Sequence, residues 1–147
     1  MKSSNHNVEG VHHIAFAVRD VEKTMAHWSK AFNLEGKIME FDDHKKGTIY
    51  LGDIMFAFIE YTEPNQRFTE FLDEHGEGLH HLALKIDDIE DFSDHLQGSG
   101  FSLLYDGPQD AGVGLCNFLS KEDVHADIEI VEPDERDEKL QKDVLGN

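Results

Sequence analysis

Four positions in this 147-residue sequence combine ligand-type side chains with a repeated context. His13 follows His12 in Val11-His-His-Ile-Ala-Phe-Ala-Val, and His81 follows His80 in Leu79-His-His-Leu-Ala-Leu-Lys-Ile. Glu60 stands in Ile59-Glu-Tyr-Thr-Glu-Pro and Glu129 in Ile128-Glu-Ile-Val-Glu-Pro. Two imidazoles and two carboxylates that converge suit one divalent first-row ion, Zn, Co, Ni or Mn, with positions left for water or substrate. A carboxylate inside an apolar strand pattern is costly unless a partner or a metal compensates it, which singles out Glu60 and Glu129. Glu63 and Glu132, beside prolines where strands end, read as outward-facing.

The elements that must position these residues come in duplicate. From Val11 to Trp28 the sequence matches Leu79 to Leu96 at an offset of 68, with six identities in eighteen pairs. The Ile-Glu motifs repeat at an offset of 69, so two motifs return almost in register and predict a duplicated module. If the modules face each other, His13 pairs with His81 and Glu60 with Glu129 about a pseudo-twofold axis. Strand alternation chooses between the adjacent histidines. His13 shares a face with Ala15 and Ala17, which leave room for a ligand, whereas His12 shares the bulky face of Ile14, Phe16 and Val18. The same split sets His81 with Ala83 and His80 with Leu82 and Leu84. Solvated strand ends are the commoner fate of an isolated histidine; the repeated context favours ligands here.

Asp20 and Asp88 stand as helix N-caps. Val21, Met25, Trp28 and Phe32, then Ile89, Phe92 and Leu96, follow at helical spacing, with Gly36 and Gly98/Gly100 as closers. Strands are expected at 37–41, 48–51 and 54–62, and again at 101–105, 114–119 and 126–132, which makes βαβββ twice. The expected fold is α+β: two tandem βαβββ modules forming a curved mixed sheet, an open barrel around a metal site. Residues 1–9 read as a flexible N-terminus and 10–133 as one domain, with modules at about 10–64 and 78–133. The connector 65–77 carries a short helix around Phe68, Phe71 and Leu72; the charged tail 134–147 reads as one marginal, dispensable helix.

Composition narrows the function classes. Asp plus Glu number 31 against 13 Lys plus Arg, a formal charge of -18, which disfavours nucleic acid and anionic membranes as partners. One cysteine, Cys116, allows no internal disulfide and no Cys-based zinc cage. The polar first ten residues and the lack of a long apolar run predict a cytoplasmic protein with no membrane association. His27 and His95 read as helix-surface residues, and Cys116 and Trp28 as packing. The Gly112-Val-Gly turn lacks a phosphate-binding pattern.

These motifs resemble the vicinal-oxygen-chelate superfamily, which includes glyoxalase I, extradiol dioxygenases, fosfomycin-resistance transferases and methylmalonyl-CoA epimerases. The resemblance spans about residues 10–133 and implies His13, Glu60, His81 and Glu129 as the metal ligands. Within it, Phe71-Leu-Asp-Glu-His-Gly-Glu-Gly-Leu-His-His with Ile86-Asp-Asp-Ile is most similar to the methylmalonyl-CoA epimerases, while Ser120-Lys-Glu-Asp departs from their pattern. An epimerase is implied that interconverts 2R and 2S methylmalonyl-CoA by proton abstraction next to the thioester carbonyl, with Glu60 and Glu129 as the acid and base. The resemblance favours cobalt, with zinc a common occupant, and a homodimer. A glyoxalase-type isomerase acting on a thiol hemithioacetal is the alternative. An iron-dependent ring-cleaving enzyme and a resistance protein are further ones. Lys45, Lys46, Arg67, Lys85 and Lys121 are the cations available for an anionic coenzyme A substrate.

Overall fold

A computed structural model describes residues 7–146 of the chain. Its elements are β1 Val8–Ala17, α1 Val21–Phe32, β2 Gly36–Glu40, β3 His44–Leu51, β4 Ile54–Tyr61, α2 Gln66–His75 and β5 Gly78–Ile86. They continue as α3 Ile89–Gly98, β6 Gln109–Asp110, β7 Gly114–Phe118, α4 Lys121–Val124, β8 Ile128–Pro133 and α5 Glu135–Leu145. The fold is α+β with mixed strand pairing; the βαβββ order occurs in the first half and returns in the second with the short α4 inserted before the last strand. Of the N-terminal segment expected to be flexible, residues 1–6 lie outside the described residues. Two compact units hold the elements. Of the described residues, one holds His13–His80 with 141–146 and the other His81–Leu140 with 7–12.

In the unit built on His13–His80 the strand order is β2-β3-β4-β1, with β1 and β4 parallel and the other pairs antiparallel. Asp20 caps α1 by accepting from Lys23 N–H, and Asn33, in the left-handed conformation, ends it. Gly36, expected to close α1, instead opens β2. Val18, Val21, Met25, Ile49 and Phe58 form a buried cluster between α1 and one sheet face, and Phe16, Trp28 and Phe56 pack against it. The rings interlock edge-to-face and stacked, with Phe16 5.6 Å from Trp28 and 5.1 Å from Phe58. Gly47 lets α1 approach β3: a Cβ there would lie 2.6 Å from Met25 Cγ.

In the other unit the order is β5-β8-β7-β6, with β5 and β8 parallel. Asp88 caps α3 through Asp91 N–H, and Ile86, Ile89, Phe92, Leu96 and Ile130 form the core beneath it. The strand expected at 101–105 is reduced to a single bridge, Leu103 to Leu119, and the paired segment is Gln109–Asp110. Asn117 explains the loss. It is buried, and its side chain accepts from Tyr105 N–H and donates to Tyr105 C=O, so the loop backbone is satisfied without a ladder. The charged tail folds as α5, with Leu140 buried and Asp137 Oδ1 2.8 Å from the buried His12 Nε2. No described helix is long and apolar enough to cross a membrane.

Candidate metal centre

Helices α1 and α3 each pack on one face of their strands, and strand alternation sends the intervening residues to the other. In the second βαβββ module, Leu84, Ile86 and Ile130 go to α3, leaving His81, Ala83 and Glu129 on the opposite face. Ala83 pairs with Glu129 across the parallel β5–β8 register, and Phe118 of β7 pairs with Glu129 on its other side. His81 therefore reaches Glu129 diagonally: Nε2 lies 3.1 Å from Oε1, with both side chains about 95% buried (6% and 5% exposed). Phe118 sits edge-on to the His81 ring at 5.3 Å. Two donors roughly 2.0–2.2 Å from one ion, at right to tetrahedral angles, lie about 2.9–3.5 Å apart, so this spacing fits adjacent ligands of one ion.

The first module builds the corresponding face differently. Ile14, Phe16, Phe56 and Phe58 belong to the α1 side. His13, Ala15 and Ala17 of β1 lie with Met55, Ala57 and Ile59 of β4 and with Lys46, Thr48 and Tyr50 of β3. His13, Lys46, Thr48 and Tyr50 are all buried. An imidazole and a carboxylate placed as His81 and Glu129 are donors that suit Zn, Co, Ni, Mn or Fe(II).

Glu60, expected as the fourth ligand, is not on this face. It extends toward α1, where Oε1 accepts Val21 N–H at 2.9 Å and satisfies an orphan donor of the helix N-terminus. Register gives the reason. His13 is opposite Met55, and Glu60 lies five residues further along β4, roughly 16 Å away at the usual strand rise. The residue equivalent to Glu60 is Glu132, whose Oε1 accepts Ile89 N–H at 2.9 Å at the start of α3. Phe16 and Leu84, 68 apart in sequence, are faced by Phe58 and Ile130, which are 72 apart. The Ile-Glu motif repeat at 69 is thus three residues out of structural register, and an odd slip exchanges the faces of a strand. Glu129 corresponds to Ala57.

The remaining expectations sort by face. His12 bonds Asp137, while His80 stacks on Phe68 at 4.1 Å and meets Phe71 edge-on, so the neighbours of His13 and His81 have structural partners of their own. His27 and His95 are exposed helix residues and Cys116 is buried. Lys45 and Lys46 go to opposite faces: Lys45 Nζ bonds Glu22 at 3.2 Å, which raises its pKa. Lys85 lines a hollow of about 470 Å³ with Glu9, Glu132, Asp134, Glu135 and Asp137, an acidic setting unsuited to a phosphate. Residue-type reasoning passed over Thr48, Tyr50 and Ala57; the alternation of Lys46, Thr48 and Tyr50 along β3 is the signal that places the first two on the His13 face.

The sequence profile of the Glyoxalase/Bleomycin resistance protein/Dioxygenase superfamily matches residues 12–119. No curated protein matches the chain in sequence. Among solved structures, methylmalonyl-CoA epimerase from Mycobacterium tuberculosis is similar with a TM-score of 0.80 and 20% identity, over 91% of this chain and 93% of that one. The Streptomyces coelicolor methylmalonyl-CoA epimerase in complex with 2-nitronate-propionyl-CoA gives a TM-score of 0.80 at 21% identity, over 86% and 99%. A hypothetical protein from Bacillus halodurans C-125 gives 0.79 at 20% identity, over 85% and 94%. At these identities the likeness is one of fold.

Proposed function

The chain belongs to the Glyoxalase/Bleomycin resistance protein/Dioxygenase superfamily, and from that premise we propose that it is a metal-dependent enzyme moving a proton at carbon next to a thioester carbonyl. The substrate of this reading is methylmalonyl-CoA and the reaction is interconversion of its 2R and 2S forms, by analogy with the epimerases of the same fold. The observation that carries it is the buried His81–Glu129 pair at 3.1 Å, whose donor chemistry suits a divalent ion. His81 and Glu129 would hold that ion, with His13 as the further ligand expected from the sequence. When bound, it supplies Lewis-acid stabilisation of the charge that develops on the substrate oxygen as the proton leaves.

Glu129 is the one acidic side chain among the buried polar residues described, and it is the acid or base of this reading. Inversion needs a proton delivered from the opposite side of the carbon. Glu60, committed to Val21 N–H on the far face of the sheet, is not that group. The buried protic side chains on the His13 face, Lys46 and Tyr50, are the candidates. Assembly as a homodimer is the family-based part of this reading, and a sedimentation mass of one chain would remove it.

Proton NMR of methylmalonyl-CoA in heavy water tests the activity. Metal-loaded protein is expected to bring deuterium into the α-position above a metal-free control. No exchange, with turnover of a glutathione hemithioacetal instead, would replace this reading by the glyoxalase-type one.

A further inference from the structure

In the unit built on His81–Leu140, one buried amide ties together the backbones of two residues whose rings meet. Asn117 Oδ1 accepts Tyr105 N–H at 3.1 Å and Phe118 N–H at 2.8 Å, and its Nδ2 donates to Tyr105 C=O at 3.0 Å. Burying an amide is costly unless its polar atoms are used, and here they are spent on holding Tyr105 and Phe118. The half-buried Tyr105 ring stands 6.4 Å from the Phe118 ring, and Phe118 meets the His81 ring nearly at right angles at 5.3 Å. Both spacings belong to favourable aromatic contact. Phe118 is also the direct cross-strand partner of Glu129, so the two side chains lie side by side. One phenyl ring therefore borders both members of the buried His81–Glu129 pair. The arrangement belongs to one copy only: across from Ala57, the counterpart of Glu129, stands Thr48.

We propose that Phe118 and Tyr105 are positioning residues for the metal centre: their rings form an apolar wall that fixes the plane of the His81 imidazole, and Asn117 is the clasp that holds the wall in place. The proposal rests on the metal-site reading above and goes beyond it, since none of the three is a ligand. An imidazole nitrogen donates to an ion along one direction in the plane of its ring, so turning the ring takes the lone pair off the ion. A phenyl ring set at right angles against it resists that turn by van der Waals contact. The same wall keeps water from His81 and Glu129 on the β7 side, which strengthens their attraction to a cation.

The test titrates full-length protein with Co(II), read by calorimetry and by the visible absorption of the ion, and melts the metal-free protein as a control for packing. Wild type is expected to take one Co(II) per chain. Phe118→Leu, which keeps apolar bulk and removes the ring, is expected to keep that stoichiometry, to weaken Co(II) about tenfold and to shift its visible bands. Tyr105→Ala is expected to shift the bands in the same direction by less, and Tyr105→Phe, which keeps the ring, to restore the wild-type spectrum and affinity. Wild type without stoichiometric Co(II) overturns the metal-site reading and this one with it. Wild-type Co(II) affinity and spectrum in Phe118→Leu and Tyr105→Ala, with only the melting temperature lowered, would reduce the rings to packing and overturn the wall alone. A Tyr105→Phe variant as impaired as Tyr105→Ala would assign the effect to the hydroxyl and overturn it as well. Should Phe118→Leu fail to fold, the two substitutions of Tyr105 decide.

Discussion

The unit around β1–β4 and the unit around β5–β8 solve the same packing problem with different materials. Under α1 the core is aromatic, with Phe16, Phe56, Phe58 and Trp28 in mutual ring contact; under α3 it is aliphatic but for Phe92. On the faces away from those helices the contrast reverses. The first carries His13 among small and hydrogen-bonding residues, and the second carries His81 against Phe118 and Glu129. Duplication therefore preserved the strand that presents the histidine and the Asp that caps the helix, while the strands pairing with it diverged. Positions that set the path of the chain are held by backbone geometry in both copies. Positions on the opposite face differ between the copies, and the second carries a buried acid there, Glu129.

The sharpest way to break this comparison is to remove ligands copy by copy. His81→Ala and His13→Ala are each expected to abolish stoichiometric metal binding, and Glu129→Gln to weaken it by more than about tenfold. Glu60→Gln should retain full metal content. Elemental analysis after dialysis against limiting Co(II) reads all four variants. Metal lost in Glu60→Gln would return that residue to the site and refute the register argument.

Much of this was legible without coordinates. Alternation in Val11–Val18 set His13 and His12 on opposite faces of a strand, and the spacing of Val21, Met25 and Trp28 gave α1. The place of Glu60 was misread because a sequence repeat and a structural repeat need not coincide. The loop before β4 and the loop before β8 differ in length, and the pairing with β1 and β5 resets the register. Glu60 and Glu129 share a motif and lie on opposite faces. The motif's second glutamate, Glu132, occupies the place that its first holds in the other copy.

The cores come next in size. Phe58→Ala, which removes a fully buried ring from the aromatic cluster, is expected to cost about 3–5 kcal/mol, and Ile130→Ala about 2–5 kcal/mol. Urea denaturation of both reads the difference. If Phe58→Ala proves the milder change, the ring contacts add nothing beyond area. Smaller effects follow from the paired glutamates. Glu60→Ala and Glu132→Ala each remove one acceptor from a helix N-terminus and should cost about 1 kcal/mol apiece. Near-equal losses would sharpen the equivalence of the two positions, and a much larger loss for either would argue that it does more than hold its helix.

The smallest expected effect is electrostatic and confined to one copy. Asp134 opens α5 by accepting Arg136 N–H at 2.9 Å, and the Arg136 guanidinium bonds both Asp134 and Asp110. Hydrogen bonds from Arg136 hold both carboxyls below the ordinary range, with Gly112 N–H adding to the effect on Asp110. For an acid whose folded pKa is lowered, the stabilisation is present above its unfolded value of about 3.9 and is lost as pH falls through the folded value. The window is therefore acidic, below about pH 4, and neutral conditions carry the full contribution. Because the three side chains are largely solvated, the gain is small, a melting shift of about 2 °C at most. Arg136→Gln is expected to lower the melting temperature slightly at pH 7 and by less at pH 2.5, and 0.5 M salt at pH 7 should shrink the gap. A loss of equal size at both pH values would mean that Arg136 acts through packing of its stem and not through its charge.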